Sequence, residues 1–230
     1  MEKPIKNMRY FAVEGIKGSG KSTVTRMICD TLAAEGIFVG LIGPTRPCSG
    51  FSFFEFLSAN MPALRNSDLW NELLYARRSA SAASLMKCTD TVYIGDRSIV
   101  TSYVSRWNKW NDPERTIRRV NLLEPFLPSP EVIFYLTLTA EEALRRISRR
   151  EKRNYGLEGQ TPARIKAALE AYEQIQKMNL PRLRDTVWVR VDAFAPSVVV
   201  ASGIADRIKH YMKYTDTIER TFSDENYIYN

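Results

Sequence analysis

Short apolar runs alternate along the chain with longer stretches in which apolar residues recur every three or four positions. The short runs predict buried strands at 10–14, 37–42, 91–95, 131–138 and 186–191. The periodic stretches predict helices at 21–35, 51–57, 68–87, 162–179 and 196–212, with further helix over 96–127 and after Thr139. Strands that alternate with helices predict an α/β protein whose parallel sheet is covered on both faces.

The 230 residues are enough for one domain with a substantial core, and no repeat or linker divides them. We expect a single domain over 1–213 and a polar tail over 214–230, where no clear pattern continues. No apolar run approaches the length of a membrane span, and residues 1–6 lack the apolar core of a signal peptide. We therefore expect a cytoplasmic protein.

A glycine-rich segment follows the first predicted strand and leads into the first predicted helix. It reads Gly15-Ile16-Lys17-Gly18-Ser19-Gly20-Lys21-Ser22, the spacing G-x-x-x-x-G-K-S, with Thr23 next. Glycines let successive backbone N–H groups surround a phosphate, and the helix start adds its positive end. The Lys21 ammonium reaches the β- and γ-phosphates, and the Ser22 hydroxyl ligates Mg²⁺. We therefore expect residues 15–23 to bind ATP with Mg²⁺.

The charged residues, histidine and cysteines narrow the chemistry further. The chain has 33 lysines and arginines against 26 acidic residues, and this excess suits an anionic ligand, either nucleotide or nucleic acid. The single histidine, His210, falls in the last predicted helix and argues against a histidine-based triad or metal site. The three cysteines have no paired spacing and are expected to be reduced thiols.

Several charged residues are predicted to meet at the carboxyl edge of the sheet, where ligands bind in open α/β folds. Asp96 ends the strand at 91–95 and can hold Mg²⁺ through water; the alternative is an exposed carboxylate that caps the next helix. Arg97 adjoins it, Arg46 follows the second strand, and Arg78 lies on the long helix. Because a guanidinium binds phosphate bidentately, we expect these arginines to hold an anionic acceptor.

Five arginines cluster over 145–153, after the fourth predicted strand. Leu144 and Ile147 share one face of the predicted helix and the arginines cover the other, where like charges four positions apart repel. We interpret 145–161 as a lid over the triphosphate; the alternative is a solvated helix face. In the lid, Arg150 and Arg153 are expected to stabilise the transferring phosphoryl group, and Arg146 to contact ATP.

Together these segments resemble the thymidylate kinase family of P-loop nucleoside monophosphate kinases, over about residues 10–211. The carriers are Glu14-Gly15 with Gly20-Lys21-Ser22-Thr23, Thr45-Arg46-Pro47, Leu73-Leu74-Tyr75-Ala76-Arg77-Arg78, Asp96-Arg97, Pro130-Glu131-Val132-Ile133-Phe134-Tyr135-Leu136 and Val191-Asp192-Ala193. The resemblance implies a P-loop NTPase fold, a three-layer α/β/α sandwich with a five-stranded parallel sheet and a helical lid. It also implies transfer of the ATP γ-phosphoryl group to a nucleoside monophosphate by a homodimer.

The resemblance also implies roles for individual residues. Lys21 and Arg97 would be catalytic, and Ser22 and Asp96 would hold the metal ion. The implied acceptor contacts are Glu14, Arg46, Leu74, Tyr75, Arg78, Arg97 and Tyr103. Gly18 together with the lid arginines is similar to the bacterial subtype, in which a lid arginine assists transfer.

The chain departs from the family pattern in the acceptor pocket. Lys17 stands where the family has an aspartate, and Leu74 where it has an aromatic residue that stacks on the base. The amide that reads the base falls at Ala80 or Ser81, and Ser98 replaces a tyrosine. These departures leave phosphoryl transfer intact and leave the acceptor base open.

Two other functions fit parts of the pattern. Asp96-Arg97-Ser98-Ile99 also resembles deoxynucleoside kinases, in which Glu14 would be the candidate base that takes a hydroxyl proton. A nucleotide-gated binding protein without turnover is a second alternative, because Trp107 and Trp110 lie among basic residues and stacking on single-stranded nucleic acid is open to them. We expect these tryptophans to be packed in the fold instead, and no nucleic acid or membrane partner.

Overall fold

The structure, a computed structural model, describes residues 9–47, 53–65, 67–109, 112–149 and 161–225. Its strands are β1 (Arg9–Glu14), β2 (Val39–Ile42), β3 (Val92–Asp96), β4 (Val132–Thr137) and β5 (Val187–Asp192). They pair in parallel in the order β2-β3-β1-β4-β5. The central strands β1, β3 and β4 are almost entirely buried, as continuous apolar runs in a covered parallel sheet should be. The predicted five-stranded parallel sheet is confirmed.

Helices connect the strands and cover the sheet. The first six are α1 (Lys21–Ala34), α2 (Phe53–Asn60), α3 (Pro62–Arg65), α4 (Asp68–Ser84), α5 (Ile99–Arg106) and α6 (Pro113–Leu123). They are followed by α7 (Ala140–Ser148), α8 (Pro162–Met178) and α9 (Ser197–Glu225). Helix α1 packs against α9, and α5 packs against α8. The result is the α/β layering that the alternation of strand and helix predicts.

The last helix differs from its prediction. The sequence pattern ends it at Met212 and leaves a patternless tail over 214–230, whereas α9 continues to Glu225. No proline or glycine follows Gly203 before that point, so nothing in the backbone chemistry stops the helix. Loss of apolar periodicity therefore did not mark the end of the helix.

The register of the sheet brings the chemistry-bearing residues to one edge. Val13 in β1 is opposite Asp96 in β3, and Glu14 is opposite Tyr135 in β4. Because the strands are parallel, the segments that follow β1 and β3 leave the sheet side by side. The glycine-rich loop and Asp96-Arg97 are consequently neighbours.

Candidate active site

The loop between β1 and α1 has the backbone of an anion-binding turn. Gly20 is the N-cap of α1 with a φ of 91°, and none of the described side chains caps this helix end. An uncapped helix start directs amide dipoles toward an anion. The Lys21 ammonium donates to the carbonyl oxygens of Gly15 at 2.7 Å and Ile16 at 2.6 Å, so it lies folded over the loop. Ser19 is buried, Lys17 half-buried and Thr23 exposed.

Two glycines of the loop are required by close approach as well as by their positive φ. A Cβ on Gly15, with a φ of +144°, would lie 2.7 Å from the carbonyl oxygen of Leu136 in β4. A Cβ on Gly18, with a φ of +92°, would lie 2.7 Å from the carbonyl oxygen of Ala143 in α7. Side chains rarely adopt this conformation and real atoms do not come this close. Helix α7, which carries the first lid arginines, is therefore seated directly on the loop.

Ser22 and Asp96 meet beside the loop, as the metal prediction requires. The Ser22 hydroxyl donates to Asp96 Oδ2 at 2.7 Å, and the other carboxylate oxygen, Oδ1, is buried without a hydrogen-bond partner. A buried carboxylate oxygen without a partner is costly unless a cation or water completes it. Among the described residues, no three histidine, cysteine, aspartate or glutamate side chains cluster to hold an ion alone. The pair thus fits Mg²⁺, which keeps waters and phosphate oxygens as its other ligands.

The Arg46 and Arg78 side chains both lie near the loop that follows β2. Arg46 pairs with Asp96 Oδ2, the carboxylate oxygen that Ser22 also contacts. Arg78 is held by both carboxylate oxygens of Glu55, at 2.7 and 2.8 Å, and donates to the Thr45 carbonyl at 3.1 Å. The two arginines line a cavity of about 210 Å³. The structure therefore brings together two of the three arginines predicted to hold the acceptor.

Arg97 has a strained backbone at the edge of the sheet. Its φ is 90°, which is unfavourable for a residue with a side chain, and its N–H donates to the Val13 carbonyl at 3.1 Å. Burial acts to lower the pKa of its guanidinium, but Tyr172 and Glu14 nearby raise that pKa above its ordinary value. Strain of this kind persists where the surroundings fix it, commonly at functional sites. Arg97 is thus a permanent cation beside Asp96.

Glu14 is fully buried in the fold, with none of its surface exposed to a ligand. Its Oε1 accepts from the Ser98 backbone at 2.7 Å and from the Ser98 hydroxyl at 2.8 Å, and Thr101 donates to both carboxylate oxygens. The Tyr172 hydroxyl, whose pKa is raised well above its ordinary value by burial, donates to Oε2 at 2.8 Å. A fully buried carboxylate with this many donors positions the loop and α5. The structure does not support direct contact with an acceptor, nor the role of base in the nucleoside kinase alternative.

The predicted base and sugar contacts separate into two groups. Tyr75 is half-buried, so part of its side chain stays accessible to an acceptor. The guanidinium of Arg106 lies 4.8 Å from the ring centre of Tyr75. Leu74 is buried beside it, with 6% of its surface exposed. Tyr103 is completely buried and donates to Asn121 at 2.6 Å, so the structure does not bring this tyrosine to the cleft. The sequence could not reveal this, because Asn121 is 18 residues away on another helix.

The described part of the lid begins with a compact ion-pair cluster. Glu142 accepts from Arg145 at 2.5 and 2.7 Å and from Arg146 at 2.7 Å, and these bonds lower the pKa of Glu142 to about 2. Arg146 lies on α7, the helix whose Ala143 meets Gly18 of the loop. Arg150 and Arg153, the predicted catalytic arginines, lie outside the described residues, as does the remainder of the predicted lid over 150–160.

Trp107 packs in the fold and is not exposed for stacking on nucleic acid. It is 2% exposed, and its indole donates to Gln174 at 2.5 Å, so it packs in the fold. Trp110 lies outside the described residues. No helix in the described part of the chain combines the length and the apolar character that crossing a membrane demands.

The long-range partners that hold the site have almost no signature in the sequence. Glu55, which orients Arg78, and Tyr172, which bonds to Glu14, are distant in sequence and follow no motif. The buried pair of Arg106 with Glu124, at 2.9 Å, is a further one. A lone acidic residue in a phenylalanine-rich helix, as at Glu55, was the one available signal.

The fold and the loop together define a P-loop nucleotide-binding protein of the α/β class. A family model for thymidylate kinase matches residues 13–204. The thymidylate kinase of Leptospira borgpetersenii serovar Hardjo-bovis is 28% identical over 181 residues, which cover 76% of this chain and 82% of the relative. The putative thymidylate kinase of Aeropyrum pernix is 28% identical over 215 residues, 87% of this chain and 96% of the relative.

Because the family model spans most of its length, the chain belongs to the thymidylate kinase family. It is accordingly a nucleotide kinase, a phosphotransferase of the nucleoside monophosphate type. The family resemblance seen in the sequence is confirmed.

Proposed function

We propose that the chain transfers the γ-phosphoryl group of ATP to a nucleoside or deoxynucleoside monophosphate, in a reaction that depends on Mg²⁺. The observation that carries the proposal is the contact of Ser22 with Asp96 beside the glycine-rich loop, with Arg46 on the same carboxylate. These contacts link the loop that would bind the triphosphate, the pair that would hold Mg²⁺ and an arginine that would bind the acceptor.

On the donor side, the loop amides and Lys21 hold the triphosphate. The Lys21 ammonium leaves the carbonyl oxygens of Gly15 and Ile16 for the β- and γ-phosphates, where it neutralises charge as the phosphoryl group moves. Ser22 and Asp96 are the residues that would hold Mg²⁺, and a bound magnesium ion supplies further neutralisation of the phosphate oxygens.

On the acceptor side, Arg46, Arg78 and Arg97 hold the monophosphate in line with the donor. One acceptor phosphate oxygen forms a bond to the γ-phosphorus, and the bond from that phosphorus to the β–γ bridging oxygen breaks, which gives ADP and a nucleoside diphosphate. The attacking oxygen is already anionic near neutral pH, so no general base is needed. This agrees with the burial of Glu14.

The lid arginines belong to this proposal as well. Arg146 would contact ATP from α7, and Arg150 and Arg153 would approach the transferring group when the lid closes. The seating of α7 on Gly18 supports an approach from this direction.

The acceptor is proposed as a class rather than as one nucleotide. The curated relatives are named for thymidylate, but Lys17, Leu74 and Ser98 change the family's acceptor pocket. The homodimer and the cytoplasmic location are likewise proposals from the family, to be tested by sedimentation and by fractionation of cells.

The experiment is a panel assay of ADP release with ATP and Mg²⁺. The acceptors are the common ribonucleoside and deoxynucleoside monophosphates and their parent nucleosides. We expect turnover of at least one monophosphate, its loss in Lys21→Ala, and full activity in the control Lys209→Ala, whose lysine pairs with Glu35 far from the loop. Turnover of nucleosides alone would establish the deoxynucleoside kinase alternative. ATP binding without transfer to any acceptor would establish the binding-protein alternative.

A further inference from the structure

Asp96 carries a contact that stands between the two halves of the proposed site. Its Oδ2 accepts from the Ser22 hydroxyl at 2.7 Å and is also paired with the Arg46 guanidinium. Its Oδ1 is buried, and none of the described residues donates to it. The carboxylate that would hold Mg²⁺ is thus paired with an arginine that would hold the acceptor. While this pair is formed, Arg46 is kept from an acceptor phosphate, and its charge opposes a divalent cation on the same carboxylate.

Only one member of this pair is fixed in the fold. The Asp96 side chain is 4% exposed and lies at the end of β3, opposite Val13 of β1, whereas the Arg46 side chain is 48% exposed. An ion pair that water reaches on one side is screened and contributes little to stability. Separating the pair therefore costs little, and the movement that separates it is made by Arg46.

The loop after β2 determines how the Arg46 side chain reaches Asp96. The Arg46 backbone N–H donates to the Gly43 carbonyl at 2.9 Å, which closes a tight turn. The stem of Arg46 then passes over Gly43, where an added Cβ would lie 2.7 Å from the Arg46 Cδ and 3.0 Å from its Cγ. Gly43 is not among the described glycines with a positive φ. It therefore matters for the space that it leaves to Arg46 and not for its backbone conformation.

We propose that Arg46 exchanges between Asp96 and the acceptor phosphate, and that this exchange couples acceptor binding to the binding of magnesium nucleotide. This inference rests on the proposed function. A guanidinium and a divalent cation compete for one carboxylate, so Arg46 is released from Asp96 when magnesium nucleotide binds. The released guanidinium is then available to the acceptor phosphate, which it binds bidentately. By linkage, an acceptor that holds Arg46 strengthens the binding of magnesium nucleotide by the same factor.

The first test measures acceptor affinity by calorimetry, with the β,γ-imido analogue of ATP so that no transfer occurs. The acceptor probe is the monophosphate that the panel assay turns over fastest. In the native protein we expect its Kd to be about ten- to a hundredfold lower with the analogue and Mg²⁺ than with the analogue in EDTA. In Arg46→Met, which has no guanidinium to exchange, we expect this ratio to fall to about one- to threefold.

The second test keeps every charge and changes only the path of the Arg46 side chain. Gly43→Ala places a Cβ against the Arg46 stem and so disfavours the pair with Asp96. The quantity measured is the Kd of the imido analogue in EDTA divided by its Kd in Mg²⁺, which we expect to rise about three- to tenfold over the native value. The matched control is Gly203→Ala in α9, where an added Cβ meets open space, and it should leave both ratios unchanged. Because Gly43→Ala retains the arginine, its effect cannot come from a lost charge, and it serves if Arg46→Met does not fold.

The outcomes separate the exchange from the proposed function. If well-folded protein does not bind the imido analogue, or if no monophosphate is turned over, the proposed function fails and the exchange fails with it. If monophosphates are turned over but the acceptor binds equally well in Mg²⁺ and in EDTA, the two sites are not coupled and the exchange alone is overturned. Coupling that persists in Arg46→Met, or a magnesium effect in Gly43→Ala equal to that of the native protein, would overturn it as well.

Discussion

Glu14 offers the sharpest test of how this site is built, because it separates a structural carboxylate from a catalytic one. In Glu14→Ala, the Ser98 backbone N–H loses its acceptor, and an unpaired buried donor costs about 1–3 kcal/mol. The Tyr172 hydroxyl keeps the Gly15 carbonyl as an acceptor, whereas the hydroxyls of Ser98 and Thr101 also lose the carboxylate, so the loss lies towards the upper end of this range. With about 1 kcal/mol more for the cavity, we expect the free energy of unfolding to fall by about 2–4 kcal/mol.

Glu14→Gln should behave differently from the alanine variant. The amide oxygen keeps the acceptor for Ser98, and the hydroxyls of Thr101 and Tyr172 turn to accept from the amide nitrogen, so we expect a loss of about 1 kcal/mol. Phosphoryl transfer should stay within about fivefold of native activity, whereas loss of a general base costs about 10²- to 10⁴-fold.

Urea denaturation and the ADP-release assay measure these two effects on the same preparations. The control is Glu131→Gln, which weakens a partly exposed pair with Arg9 at the opposite end of β1 and should cost less than about 1 kcal/mol. If Glu14→Ala is as stable as this control, the burial argument is wrong. A well-folded Glu14→Gln protein that has lost a hundredfold or more in activity would refute the structural role and restore the base of the nucleoside kinase alternative.

Three further predictions concern the loop, the metal pair and the lid. Gly18→Ala should weaken ATP binding about tenfold or more in calorimetry, because its Cβ meets α7, whereas Gly36→Ala, with a φ of +80° but open space around it, should leave ATP affinity unchanged; equal affinities in the two variants would contradict this. Asp96→Asn should lower activity or Mg²⁺ affinity about 10- to 100-fold in a magnesium titration, and an unaltered titration curve would remove it from the metal site. The Glu142 carboxyl should titrate by NMR at about pH 2 rather than at its ordinary 4.5, because arginines of α7 hold its charged form. The pairs on α7 are therefore intact above pH 4.5 and lost as the pH falls towards 2, and a midpoint near 4.5 would show that they do not form.

The sequence predicted those parts of the protein that depend on neighbouring residues. The strand at 10–14, the glycine-rich loop and the helix from Lys21 form one continuous local pattern, and the structure places each within one residue of its predicted bounds. The pairing of Ser22 with Asp96 also followed, because parallel strands end at a common edge and the loop needs a carboxylate partner.

The remainder depends on contacts between residues far apart in the chain. Glu14 meets Tyr172 across 158 residues, and Arg106 meets Glu124 across helices that the apolar pattern had joined into one broad stretch. A polar side chain on a helix has the same local signature whether it faces water or a buried partner. For that reason the sequence pattern predicted Glu14 and Tyr103 as acceptor contacts, although both are buried, and gave no sign of the buried pair of Arg106 with Glu124.

The most direct test of the central claim follows the terminal phosphoryl group itself. The protein is mixed with Mg²⁺, ATP labelled in its γ-phosphate and the best acceptor of the panel, and the products are separated after a single turnover. We predict that the label appears in the β-position of the nucleoside diphosphate, with one ADP formed for each labelled product, and that Lys21→Ala yields none. Label released as inorganic phosphate, or no binding of ATP by well-folded protein, would contradict the account.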